Sequence, residues 1–311
     1  MTATGLQYAS MNGVVVPYEE ASVHIQSPAV RYGSSLFEVI KGYWNARGET
    51  VHLFRLEAHL RRLAQSAHLA AYDFSPDPRA LEDQIRELIR ANEVREDVDV
   101  RLNLLIGGQG PIEATGPVFV GIVMIPARNL FGVSGGLHCS VSSWRRISDD
   151  VLPPRIKASA NYQNSRLPLI QAKRDGYDSV ILLNSSGQLT EGPGATLFLV
   201  REGEVLTPPV TAGILEGITR ATLIQLFREH CGRDVMERLI DRTEIYLAEE
   251  AFFCGSGAEI RSILSVDRHP VGDGKEGPLT NQIRELYLSI ARGESTLYPE
   301  WRTTVHLEPS S

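Results

Sequence analysis

The stretch KASANYQNSRL, residues 157–167, sets one lysine, Lys157, ahead of a run of small and polar residues with Tyr162 among them. A lysine amine held neutral, as partial burial and a nearby helix N-terminus both favour, can form a Schiff base with a carbonyl. Alone, such a lysine more often reads as a solvated charge before a helix, and one motif does not decide. Three other stretches bear on the choice. In SSGQLTEGPGATLFLV, Glu191 follows a strand and precedes a Gly-Pro-Gly turn. A carboxylate there is either a solvated turn residue or a partner for a heteroaromatic nitrogen, which would keep a cofactor ring protonated and electron-withdrawing. In GILEGITRATLIQLF a glycine turn feeds a helix whose first amides, at Ile218 and Thr219, suit a phosphate; Thr219 could equally be a plain cap. In CGSGAEI, Gly255 and Gly257 let the backbone approach a ligand, with the Ser256 hydroxyl between them, or the stretch is simply a turn.

The elements that must position these residues can be read from periodicity. LQYASMNGVVVPY has two strand-like runs about Asn12-Gly13, a dipeptide suited to a tight hairpin. VHLF reads as a strand, LEAHLRRLAQSAHL and residues 78–91 as helices, and VDVRLNLLI and GPVFVGIVMI as strands. These give an α+β domain over residues 1–125, followed by an interdomain loop, 126–135, in PARNLFGVSGG. The second domain, 136–311, is expected to be rich in short strands: LHCSVSSW, DSVILLN, ATLFLV, EVLTP, EAFFCG and IRSILSV. Helices are expected over 160–173, with Ser159 as a cap and Pro168 as a kink or break, over 219–229, and in NQIRELYLSIARG.

Composition narrows the function classes. The formal net charge of −7 leaves no basic footprint, so neither nucleic acid nor an anionic membrane is an expected partner. Cys139, Cys231 and Cys254 are odd in number and lack CxxC spacing, which points away from a disulfide framework or zinc site and toward a reducing compartment. His52, His59 and His68 have no metal-ligand spacing and read as satisfied or solvated. With no leader-like segment and no apolar run long enough to span a bilayer, the expectation is a cytoplasmic protein without a metal.

Eight blocks, in order over residues 26–273, carry a resemblance: YGSSLFEVIKGY, FRLEAHLRRLAQSA, KASANYQNS, GYDSVILLN, LTEGPGATLF, GITRATLI, LAEEAFFCGSGAEI and SVDRHPVG. Together they resemble the class IV aminotransferases. These are the fold-type IV pyridoxal phosphate enzymes, which include branched-chain and D-amino acid aminotransferases, (R)-amine transaminases and aminodeoxychorismate lyase. The resemblance implies a two-domain α+β fold with a small N-terminal domain and a larger C-terminal pseudo-barrel domain carrying the lysine. It also implies at least a homodimer, pyridoxal 5'-phosphate as cofactor, and ping-pong transfer of an amino group to a 2-oxo acid. By the same resemblance Lys157 is the Schiff-base lysine and proton shuttle, Tyr162 the partner of the cofactor's phenolic oxygen, and Glu191 that of its ring nitrogen. Arg55, Ile218, Thr219 and Ser256 would then hold the phosphate.

Substrate-facing positions give mixed signals. Arg101 matches the arginine that takes the distal carboxylate of glutamate in branched-chain enzymes, and Tyr32 and Phe37 match their aromatic wall. Gly257 and Ala258 lie beside Ser256 on the same expected substrate side. Val39, where branched-chain enzymes usually have glycine, resembles the D-amino acid enzymes. Asp99 stands in place of a usual tyrosine, where it would repel an acidic substrate or pair with Arg101. Arg128, in the loop, is a candidate carboxylate clamp or a solvated charge. The expectation is a branched-chain-like transaminase; the alternatives are a D-amino acid or (R)-amine transaminase, a lyase of the aminodeoxychorismate type, and a non-catalytic binding protein.

Overall fold

Asn12 and Gly13 take φ values of 52° and 82°, the left-handed pair that a two-residue turn needs, and join strands β1 (Tyr8–Met11) and β2 (Val14–Pro17) in register Met11 to Val14. This computed structural model describes residues 6–128 and 130–307, and the chain divides into two units. The first runs up to Ala127 and regains Ile156–Ala160 and the chain from Ser289 onward; the second holds Arg128–Arg155 and Asn161–Leu288. Contiguous domains, with Lys157 in the second, were expected. The units are instead discontinuous, because two later segments pair with the first sheet.

That sheet is antiparallel. It contains β3 (Ser35–Asn45), β4 (Thr50–Phe54), β5 (Val98–Ile106) and β6 (Val118–Pro126), and the C-terminal strand Arg302–His306 lies beside β4. Before β3 comes the short helix α1 (Pro28–Tyr32). Helices α2 (Leu56–Leu69) and α3 (Pro78–Ala91) share one hydrophobic core with the sheet, and Asp77 caps α3 by accepting a bond from Arg79 N at 2.9 Å. On α3 the buried Leu81, Ile85 and Leu88 recur at helical spacing against Leu36, Ile40, Val100 and Leu102 of the sheet's core face. Truncating one such residue, Ile85→Ala, costs about 3 kcal/mol. Because strand side chains alternate, Phe37, Val39, Lys41 and Tyr43 lie on the opposite face.

The second unit is a mixed sheet ordered β12-β11-β10-β13-β14-β7-β8. Its strands are β7 (Leu137–Arg145), β8 (Ser179–Leu183), β9 (Glu191–Gly192), β10 (Ala195–Arg201), β11 (Glu204–Thr207), β12 (Val235–Glu237), β13 (Glu250–Gly255), β14 (Glu259–Val266) and β15 (His269–Pro270). Stacked Phe198 and Phe252, with ring centroids 5.1 Å apart, are fully buried beside Phe227. Helix α4 (Asn161–Arg174) passes through Pro168 without ending. One proline forfeits one helical hydrogen bond, and Pro168 itself is buried. Ser159 does not cap this helix, which begins two residues later: its hydroxyl donates to Ser35 Oγ at 3.3 Å and its amide to Ser35 O at 2.8 Å. Helix α5 (Ile218–His230) begins after Gly217 rather than at Thr219, and α6 (Pro278–Ala291) has the Leu279 and Thr280 amides bound to the Glu250 carboxylate. The architecture is the expected α+β class.

Candidate active site

Along its first residues β3 has β5 on one side only, since β4 pairs with Gly42–Asn45 alone. Residues 157–159 take the open side. Phe37 N donates to Lys157 O at 3.0 Å, Ser159 N to Ser35 O, and Leu36 and Ala158 form an antiparallel bridge. Pairing puts Ala158 on the core face with Leu36, where it packs, and Lys157 on the other face with Phe37. There Lys157 Nζ lies 4.8 Å from the Phe37 ring centroid in a buried setting, and its amide donates to Ser66 Oγ of α2 at 3.1 Å. The small residues of KASA therefore have a geometric cause. Ala158 must fit a sheet interior, and an added Cβ on Gly33 would stand 3.5 Å from Ala160 Cβ.

On the core face the same strand carries Glu38, fully buried. Arg62 Nε and Nη2 donate to its two oxygens at 2.7 and 2.6 Å, and His59 Nδ1 lies 2.8 Å from Oε2. Burial alone would push the Glu38 carboxyl up, but the Arg62 charge and hydrogen bonds, with His59, hold it at about 2. Burial holds the His59 imidazole below its ordinary value despite the carboxylate. This set anchors α2, and with it Ser66, to the strand.

Further along the Lys157 face, register sets Val39 opposite Arg101 and Lys41 opposite Asp99. Asp99 neither pairs with Arg101 nor stands as a bare charge, the two outcomes expected for it. Lys41 Nζ is 2.9 Å from Asp99 Oδ1, both side chains are buried, and Arg101 is exposed. Tyr32 ends α1, exposed, with Arg31 Cζ 4.7 Å from its ring. Arg55 occupies the left-handed residue before α2, its guanidinium 4.5 Å from the Trp301 ring centroid and its amide bonded to Trp301 O. Arg128 is exposed on the loop after β6.

In the second unit the expected cofactor residues gather at one end of the sheet. Glu191 pairs with Thr196 in a hairpin, and Thr196 in turn pairs with Cys254, one residue before Gly255. An added Cβ on Gly194 would sit 3.6 Å from the Tyr162 ring, and one on Gly217 3.0 Å from Thr196 Oγ1. Tyr162, Glu191, the start of α5 and the Ser256–Ala258 turn are thus neighbours. Glu191 Oε1 is 2.8 Å from Arg146 Nη2, its Oε2 accepts from Leu215 N at 3.3 Å, and Arg146 also donates to Asn164 of α4. Arg146 and Asn164 were not singled out in the sequence; WRR reads as surface charge although the Arg146 side chain is 7% exposed.

These residues fit a phosphorylated pyridine. Helix α5 starts on a glycine with no side-chain cap, leaving its first amides for an anion, and Thr219 is buried beside them. The hairpin glycines hold the backbone low: a Cβ on Gly192 would lie 2.6 Å from the Phe253 ring. Glu191 is an acceptor suited to a protonated ring nitrogen.

The fold is that of an aminotransferase, by its likeness to solved structures. The class IV amino-transferase family matches residues 35–266, and the chain belongs to it. Its chemistry is transamination dependent on pyridoxal 5'-phosphate. The chain is 36% identical over 301 residues to the branched-chain-amino-acid aminotransferase of Escherichia coli, covering 95% of this chain and 96% of that one. It is 34% identical to a probable branched-chain-amino-acid aminotransferase of Aquifex aeolicus, with 97% of each covered. The structure of the branched-chain amino acid aminotransferase from Thermobaculum terrenum in its PLP form superposes with a TM-score of 0.91 at 41% identity, over 97% of this chain and 99% of that one. No described helix is long and apolar enough to cross a membrane.

Proposed function

We propose that this aminotransferase moves the amino group of a branched-chain or other hydrophobic L-amino acid to 2-oxoglutarate, with Lys157 as its catalytic residue. The observation that supports this most is the placing of Lys157 on the same sheet face as Phe37, Val39 and Arg101, an apolar stretch with a cation beyond it. Bound pyridoxal 5'-phosphate supplies an electrophilic carbon for the amine and an electron sink for the pair left when a proton departs. Lys157 would hold the cofactor through Nζ and, with its amine free, would move a proton between the substrate α-carbon and the cofactor's carbonyl-derived carbon within each half-reaction. Tyr162 donates to the phenolic oxygen, and Glu191, oriented by Arg146, accepts from the ring nitrogen. The α5 amides at Ile218 and Thr219, the Ser256 hydroxyl and Arg55 hold the phosphate. Phe37, Val39 and Tyr32 receive the apolar side chain, Arg101 the distal carboxylate of glutamate, and Gly257 and Ala258 supply backbone at the substrate. We assign the working form as a cytoplasmic homodimer.

The test is a half-reaction. L-Leucine, L-glutamate, D-glutamate and (R)-1-phenylethylamine are added separately to holoenzyme and the visible band of the lysine-bound cofactor is followed. Loss of the band with the two L-amino acids only is the expected result. Loss with D-glutamate or the amine alone would contradict the substrate assignment.

A further inference from the structure

Asp99 and Arg101 lie two residues apart on one face of β5, about 7 Å between Cα atoms, a gap that an arginine side chain spans. Left to themselves they would pair, and the guanidinium would be spent within the protein. They do not pair. Asp99 instead meets Lys41 of the neighbouring strand at 2.9 Å, with side chains 9% and 5% exposed, while Arg101 has no side-chain partner among the described residues. Beyond that ion pair, Asp99 Oδ1 has no hydrogen-bond partner among the described residues, so Lys41 is what offsets its charge. A buried ion pair is a poor source of stability, since desolvation costs about what attraction returns. What this one decides is where the Asp99 charge is directed.

We propose that Lys41 is a positioning residue for acceptor choice: by engaging Asp99 across the strands it keeps Arg101 available for the distal carboxylate of a dicarboxylic 2-oxo acid. This rests on the reading of Arg101 given above. With Lys41 in place the pair is neutral and the field along this face stays positive at Arg101. Without Lys41, Asp99 turns to Arg101 and competes with the incoming carboxylate. A monocarboxylic acceptor, which presents no distal charge, is indifferent to the exchange.

The experiment measures KM and kcat for 2-oxoglutarate and for 4-methyl-2-oxopentanoate with the holoenzyme and four variants: Arg101→Gln, Lys41→Met, Asp99→Asn and the Lys41→Met/Asp99→Asn double. Lys41→Met is expected to raise KM for 2-oxoglutarate about tenfold, with kcat less affected, and to leave KM for the monocarboxylate within about twofold. The double variant is expected to return the 2-oxoglutarate KM to within about threefold of the parent, a rescue that general loosening of the strand would not give. If Lys41→Met fails to fold, Asp99→Asn decides. A KM for 2-oxoglutarate that holds or falls supports the proposal, and a rise overturns it. Arg101→Gln separates the two levels: no change there overturns the Arg101 reading and the proposal with it. An effect there with none in Lys41→Met, or with no rescue in the double, overturns the proposal alone.

Discussion

Strand β3 carries charges on both faces, and the two sets have different surroundings. On the core face Glu38 is shut in by Arg62 and His59, with every carboxylate oxygen bonded. On the other face burial falls along the strand, from fully buried Tyr43 through buried Lys41 to half-buried Val39 and Phe37. The first set is closed and joins a helix to a strand. The second is left with a cation, Arg101, that has no partner among the described residues. A satisfied buried network specifies structure, whereas the exposed Arg101 guanidinium is left open to solvent.

Substitutions can break that contrast. The largest effect is expected from Lys157→Ala, which should lower turnover by about 10⁴-fold or more with little change in melting temperature, measured by coupled assay and calorimetry. Glu38→Ala should do the reverse, costing roughly 3–5 kcal/mol in urea unfolding because Arg62 is left buried without its carboxylate, while folded protein keeps its cofactor band. The closed face also predicts an acid limb. The folded-state value of Glu38 is depressed, so its contribution, roughly 3 kcal/mol, is present above its ordinary value of 4.5 and lost as pH falls toward about 2. The folded-state value of His59 is lowered too, so below 6.5 the unfolded chain takes up that proton first and stability again falls with pH. Melting temperature should therefore decline from about pH 6.5 and more steeply below 4.5, and Glu38→Gln should flatten the steeper part. The smallest effect is Gly192→Ala, where a methyl meets the Phe253 ring: about 1–3 kcal/mol of stability, read in the same unfolding assay.

Much of this was legible in the sequence where periodicity is clean, as in β5, β6 and α3. The longest strand, β3, was not placed, because Glu38 and Lys41 interrupt both faces of LFEVIKGYW; each is neutralised by a partner far along the chain, Arg62 and Asp99. Nor did local pattern reveal that residues 157–159 and Arg302–His306 complete the first sheet, since both pairings are set by tertiary contact. Motif chemistry singled out Lys157, Tyr162 and Glu191. It missed Arg146, whose role as the Glu191 partner is visible only once the fold brings the residue after β7 to the Glu191 hairpin.

The most direct test of the central claim is to reduce the holoenzyme with borohydride, digest it, and map the phosphopyridoxyl group by mass spectrometry. A single modified residue at Lys157 is the predicted result. Label at another lysine, or none in protein that has been reconstituted with cofactor, would contradict it.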